Sequence, residues 1–283
     1  MPANYHPLSM EPVTVVILIA SVASTACWIA SLITKDTSWV DRLWSILPAA
    51  YVVVFAWAAG FADPRLNVMA ILAVLWGARL TFNFARRGGY SGMEDYRWAV
   101  VRAGMKPWQF QVFNLFFIVI AQNILLALIA LPALTAYQHQ ATPFGALGIL
   151  LALLFLASLV GETIADQQQW NFHQRKKAQL AAGQTPDANF CQTGLFRFSR
   201  HPNYFFELSQ WWLMFALGAA AAGSLLQWTG IGVVLLTALF VGSTRLTEQI
   251  SLSKYPEYAG YQASTSPIIP WPPRKPTPAV AAH

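Results

Sequence analysis

Long apolar runs set the rhythm of this chain. Hydrophobic residues fill stretches at roughly 11–33, 40–61, 66–85, 110–136, 143–170, 203–222 and 225–244, each closed by a polar break. Each run is close to the ~20 residues that cross about 30 Å of hydrocarbon as a helix. The pattern predicts an all-α integral membrane protein with about seven transmembrane helices, in a single transmembrane domain over 1–283. Only Asp63, Pro64 and Arg65 part the second run from the third. The fifth ends in "GETIADQQQWNFHQRKK", polar but still helical in composition, which predicts one long helix leaving the bilayer without a break. No basic stretch precedes the first run, so it reads as a retained helix and not a cleaved signal. The Pro-rich tail from about 272 is expected to be disordered.

Composition changes this picture little. The chain is 56% hydrophobic and 11% charged, against about 25% charged in soluble domains, so lipid is the expected solvent. The net charge of +6 follows from basic loops and does not call for nucleic acid as a partner. Those loops are 86–106 (Arg86, Arg87, Arg97, Arg102, Lys106), 173–200 (Arg175, Lys176, Lys177, Arg197, Arg200) and the tail (Arg245, Lys254, Arg274, Lys275). With seven spans all three lie on one side, taken as cytoplasmic, and the N-terminus lies outside. Arg65 is the one basic residue left for an outer loop. Cys27 and Cys191 form no disulfide framework and no zinc spacing, and no metal site is expected. No Gly-rich dinucleotide fingerprint, Walker sequence, H-E-x-x-H or G-x-S-x-G occurs.

Ionisable side chains inside spans are costly and so point to function. Asp41 and Arg42 open the second run, and Arg79 sits in the third. Glu162 and Asp166 lie four apart in the fifth, on one helical face continued by Gln169 and His173. Asn203 and Glu207 lie four apart in the sixth, and Arg245 and Glu248 close the seventh. The plainer alternative is that these are charge pairs that fix helix packing, or residues at the interface. Against it, three carboxylates and one central arginine do not balance, which leaves room for the hydroxyls and amide of a ligand.

The most concentrated chemistry is "FSRHPNYFFE", 198–207. Pro202 suits the first turn of a helix, with Ser199 or Arg200 near the cap. A helix N-terminus favours an anion, and Arg200 and His201 add cationic donors there. Arginine can grip phosphate through two parallel bonds. An ordinary basic flank is the alternative. Tyr255, Tyr258 and Tyr261 recur at three-residue spacing and read as an interfacial belt or as a flap over a planar ligand.

"TGLFRFSRHPNYFFE" resembles the signature of the steroid 5α-reductase-like membrane proteins, whose bacterial branch is the DUF1295 family. "LWGARLTFNFARR", "EDYRW", "GETIADQQQWNF" and "YPEYAGYQASTSPIIPW" resemble that branch in the same order, from about Asp41 to Trp271. The resemblance implies a seven-helix reductase, in a bacterial inner membrane, holding NADPH on the cytoplasmic side. It implies cofactor contacts at Asn203 and Glu207, with Asp166, Glu162 and Arg79 from neighbouring helices; Arg200, His201, Tyr204, Arg245, Tyr255 and Tyr258 complete the expected cofactor set. Phe206 departs from the signature, which has Gly there. The animal enzymes hold the substrate ketone with a Gln–Glu pair and a Tyr; this chain offers Asp41 and Trp76 near those positions.

The expected reaction is reduction of the C=C bond of a lipophilic enone from the bilayer, such as a 3-oxo-Δ4 steroid. Asp41 is the candidate donor to the developing enolate, with Tyr90 and Tyr96 as alternatives. Two other functions compete. R-H-P-x-Y also occurs in isoprenylcysteine carboxyl methyltransferases, which use S-adenosylmethionine. A non-catalytic lipid-binding protein would need only the membrane helices and membrane lipids.

Overall fold

The structure is a computed structural model and describes residues 10–274. The first nine residues and the tail from 275 lie outside the described residues, and with them most of the expected disordered tail. In chain order the helices are α1 (Pro12–Thr34), α2 (Trp39–Trp44), α3 (Leu47–Ala58), α4 (Pro64–Arg86), α5 (Tyr96–Ala103) and α6 (Pro107–Phe113). A π-helical segment (Asn114–Ala121) runs on into α7 (Gln122–Ala130) and α8 (Pro132–Gln138). Then follow α9 (Ala146–Ala181), α10 (Pro202–Ala222), α11 (Ile231–Lys254) and α12 (Tyr258–Ser264), with short 3₁₀ turns at Gly194–Arg197 and Trp228–Gly230. Among the described residues there is no strand.

Among the described residues, six helical stretches are long and apolar enough to cross a bilayer: Pro12–Thr34, Trp39–Ala58, Pro64–Arg86, Pro107–Gln138, Ala146–Ala181 and Trp228–Lys254. The seventh expected span is α10, a helix of 21 residues. Asn203, Glu207, Ser209 and Gln210 fill its first half, which keeps it out of the apolar set. The expected long fifth helix is present: α9 has 36 residues, about 54 Å at 1.5 Å per residue.

Local chemistry explains the breaks. Pro48 opens α3 within its first two positions; its ring would clash with the carbonyl four residues back, so the second span is split after Trp44. The five-residue break before α4, residues 59–63, suffices because Asp63 Oδ1 accepts from Leu66 N at 2.8 Å and Pro64 needs no partner for an N–H.

By compactness the chain divides into two units. The first comprises Met1–Leu156 and Trp211–Leu236, the second Ala157–Gln210 and Thr237–His283. In the first unit two glycines let backbones meet. A Cβ on Gly218 would lie 2.5 Å from the Pro132 carbonyl oxygen, and one on Gly232 would lie 2.3 Å from the Leu128 backbone. Small residues at such crossings replace the hydrophobic drive that helices lack in lipid. Trp76 and Trp211 pack edge to face at 4.8 Å. Arg65 is buried, and its Nη2 donates to the Pro143 carbonyl at 3.0 Å, tying the start of α4 to the loop before α9. Thr37 and Ser38, between α1 and α2, are tied to Glu94 and Asp95, between α4 and α5. Both ties join loops expected on a common side of the membrane.

Candidate functional site

In the second unit, the segment 194–207 is held from three directions. Gly194 has φ +63, and a Cβ there would lie 2.5 Å from the Gln168 amide of α9. Gln168 Oε1 accepts from Leu195 N at 2.9 Å. Phe196 is buried against Ala165 and Cys191. Arg200 then turns inward: Nε meets Glu248 Oε1 at 2.6 Å and Nη2 meets Oε2 at 2.9 Å. Its Nη1 donates to the carbonyls of Gln262 and Thr265. His201 Nε2 shares Glu248 Oε1 at 3.1 Å, and Gln262 Nε2 donates to Oε2 at 3.0 Å. The backbone N–H groups of Arg200 and His201 donate to the carbonyls of Ser266 and Pro267. Ser199 stands beside the cap as expected, its Oγ accepting from His201 N at 3.2 Å.

Four of the five guanidinium donors of Arg200 therefore serve the protein itself. The sequence groups Glu248 with Arg245; the fold brings it to Arg200 and His201, while Arg245 is exposed. Tyr204 stacks on His201 at 5.1 Å and meets Phe240 edge-on at 4.8 Å. Much of the signature thus has an architectural role in this unit.

Its remaining polar residues meet a second acidic face. Glu162, Asp166 and Glu207 are each 4% exposed. Gln210 lies on the Asn203–Glu207 face of α10, and its Nε2 donates to Glu162 Oε2 at 2.6 Å. That bond joins the acidic face of α9 to the polar face of α10. Phe206 does not disturb the junction: its ring sits over Gly161, where a Cβ would be 2.5 Å away. The glycine missing at 206 is matched by one on the facing helix.

The C-terminal tyrosines surround Phe190, at 6.3 Å from Tyr255, 4.8 Å from Tyr258 and 5.5 Å from Tyr261. Lys176 Nζ lies 3.2 Å from Tyr255 Oη and 4.7 Å from the ring centre. Tyr261 donates to the Phe196 carbonyl. Burial, reinforced by Tyr258 and Cys191, pushes its phenol pKa up, so it stays a donor. Burial likewise raises the Cys191 thiol, which makes it a poor nucleophile.

In the first unit, Asp41 Oδ2 accepts from the indole N–H of Trp98 at 3.4 Å. Arg42 pairs with Asp36 at 2.6 Å and stacks over Trp39 at 4.6 Å. Tyr90 is exposed and gives its proton to the Arg42 carbonyl at 3.0 Å; Tyr96 is exposed at the start of α5. Arg79 is half-buried on α4. Glu94 was not singled out by sequence, although it heads "EDYRW". It accepts from Thr37 N and Oγ1 and takes both Nη atoms of Arg102, at 3.1 and 2.6 Å. Gln168, Gln210 and Gln262 were also missed; uncharged amides carry no signal of their own among polar flanks. Asp41, Tyr90, Tyr96 and Arg79 belong to the first unit and the other expected site residues to the second. No cluster of three or more His, Cys, Asp or Glu suited to a metal ion occurs among the described residues.

The family model for DUF1295, described as a protein of unknown function, matches residues 27–265. An uncharacterized protein of the fission yeast Schizosaccharomyces pombe is 40% identical over 277 residues, covering 92% of this chain and 80% of that protein. No solved structure matches the chain. With most of its length matched and six helices fit to cross a bilayer, the chain is an integral membrane protein that belongs to the DUF1295 family.

Proposed function

We propose that this protein is an NADPH-dependent reductase of the C=C bond of a lipophilic enone, of the steroid 5α-reductase type. The observation that carries the reading is the Glu162–Gln210 bond, which draws the acidic face of α9 and the Asn203–Glu207 face of α10 together. These are the two helices from which the resemblance takes its cofactor contacts.

The donor set fits the hydroxyl and carboxamide parts of a dinucleotide. Carboxylates accept from ribose hydroxyls, and Asn203 can both donate and accept. The phosphate end falls to exposed cations such as Arg245 and to the positive end of the α10 dipole. Arg200 and His201, anchored by Glu248, act as positioning residues that hold the start of α10 against the C-terminal segment. When bound, the reduced nicotinamide supplies the hydride equivalent that protein side chains lack. In the first unit Asp41, oriented by Trp98, is the proposed donor to the oxygen on which charge develops, ahead of Tyr90 and Tyr96.

The test is ligand-dependent stability of the purified protein in detergent, since a ligand that binds only the native state raises its melting temperature. NADPH is expected to raise it and S-adenosylmethionine to leave it unchanged. The reverse result supports the methyltransferase instead. No response to either nucleotide leaves a lipid-binding protein.

A further inference from the structure

The loop between α4 and α6 carries a helix with two unlike faces. On α5, Tyr96, Ala99, Val100 and Ala103 are all exposed. Their spacing of three and four residues puts them on one face, and none of them bears a charge. Trp98 and Arg102 lie on the opposite face and pack inward. Trp98 is buried and meets the Phe113 ring at 6.2 Å, and Arg102 lies over the Phe110 ring at 4.6 Å. The arginines of α5 are engaged locally: Arg97 pairs with Asp95 and Arg102 with Glu94, each at 2.6 Å.

The depth of α5 identifies what meets its exposed face. Phe110 and Phe113 stand in the first two turns of the apolar stretch Pro107–Gln138. At 1.5 Å per residue, the 32 residues of that stretch run about 48 Å, against about 30 Å of hydrocarbon. The excess covers the headgroup layers, and the exposed Lys106 and Trp108 mark the near one. From Trp108 an exposed apolar stripe continues through Val112 and Phe116 at four-residue spacing, as a lipid-facing side requires. Packed against these first turns, α5 lies at the edge of the bilayer.

The start of α5 is held at the same level. Glu94, two residues before it, accepts from Thr37 N and Oγ1, three residues past the end of α1. Only residues 104–106 separate its other end from Pro107. With both ends fixed at the ends of spans, α5 runs along the membrane surface.

We propose that α5 is an interfacial helix whose exposed face meets the lipids of the bilayer that the chain spans, at the boundary between headgroups and acyl chains. Helices of this kind sink their apolar side about 5–10 Å into that boundary. The exposed Arg87 and Lys106, on either side of α5 in sequence, reach the headgroup phosphates with their charged ends. On the inner side, Trp98 Nε1 donates to Asp41 Oδ2 at 3.4 Å, so α5 stands between Asp41 and the lipid. This inference rests on the first unit alone and does not depend on the reductase reading.

The experiment attaches a nitroxide at Val100→Cys in a full chain lacking Cys27 and Cys191, reconstituted in vesicles of phosphatidylcholine and phosphatidylglycerol. Phe116→Cys gives the lipid reference and Gln140→Cys the water reference, both positions being exposed. Power saturation compares molecular oxygen, which gathers among acyl chains, with a water-soluble nickel chelate. The oxygen-to-nickel accessibility ratio at 100 is expected to exceed that at 140 severalfold and to lie on the side of 116. The same is expected of Ala103→Cys, on the same face. A ratio equal to that at 140 puts the face in water and overturns the proposal. Exclusion of both reagents overturns it as well, and dipolar broadening in that sample marks a second copy of the chain as the occupant.

Discussion

Arg200 is held fork to fork by Glu248, through bonds of 2.6 and 2.9 Å, with both side chains almost wholly buried. The pair makes the cation of the signature a structural element. Breaking a buried pair leaves one charge without compensation and costs about 3–5 kcal/mol. Glu248→Gln is therefore expected to lower the melting temperature strongly, whether or not a nucleotide is present. Thermal unfolding in detergent checks this. A Glu248→Gln protein with normal stability but lost nucleotide binding contradicts it.

Phe206 and Gly161 make a reciprocal fit, so their substitutions are expected to couple. Gly161→Ala alone forces a methyl group into the ring and is expected to destabilise by about 1–3 kcal/mol. In a Phe206→Ala background most of that penalty is expected to vanish. A double-mutant cycle on thermal stability reads the coupling. Additive effects mean that the ring does not sit over Gly161.

The Glu94 tie predicts an acid-labile junction. Burial raises the Glu94 carboxyl, but the hydrogen bonds from Arg102 and Thr37 outweigh it and hold the pKa below the ordinary 4.5. A depressed folded-state value stabilises the protein above the unfolded pKa, and that stability is lost as pH falls through the folded value. Melting temperature is expected to drop as pH falls below about 4.5. The drop is expected to be shallower in Glu94→Gln. Identical pH profiles for the two proteins exclude Glu94 as a contributor.

Whether α10 crosses the membrane sets the parity of the topology. Seven crossings put the loop near Ser91 and the exposed Ala263 in one compartment, with Gln140 in the other. In a chain lacking Cys27 and Cys191, single cysteines at these positions are expected to label in that pattern with a membrane-impermeant thiol reagent. Labelling of Ala263 together with Gln140 means that α10 does not span.

Most helices were legible because lipid demands long apolar runs, and Pro48, Asp63 and Pro64 mark their breaks. The buried acidic face of Glu162 and Asp166 was legible from four-residue spacing. The partner of Arg200 was not, because Glu248 lies 48 residues away and has Arg245 three residues before it. The π segment was invisible, since "NLFFIVIA" has the composition of any apolar helix. The role of Gly161 could not be read either; only the packed structure shows that it complements Phe206.

The account turns on the joined faces of α9 and α10, and the affinity for NADPH tests it most directly. NADPH is titrated into the wild-type protein and into Asn203→Ala and Glu207→Ala, each shown to be folded by its unfolding curve. The account predicts binding by the wild type and at least about tenfold weaker binding by each variant, the loss of a hydrogen bond to a charged or buried group. Unchanged affinity in both variants, or no NADPH binding by the wild type, contradicts it.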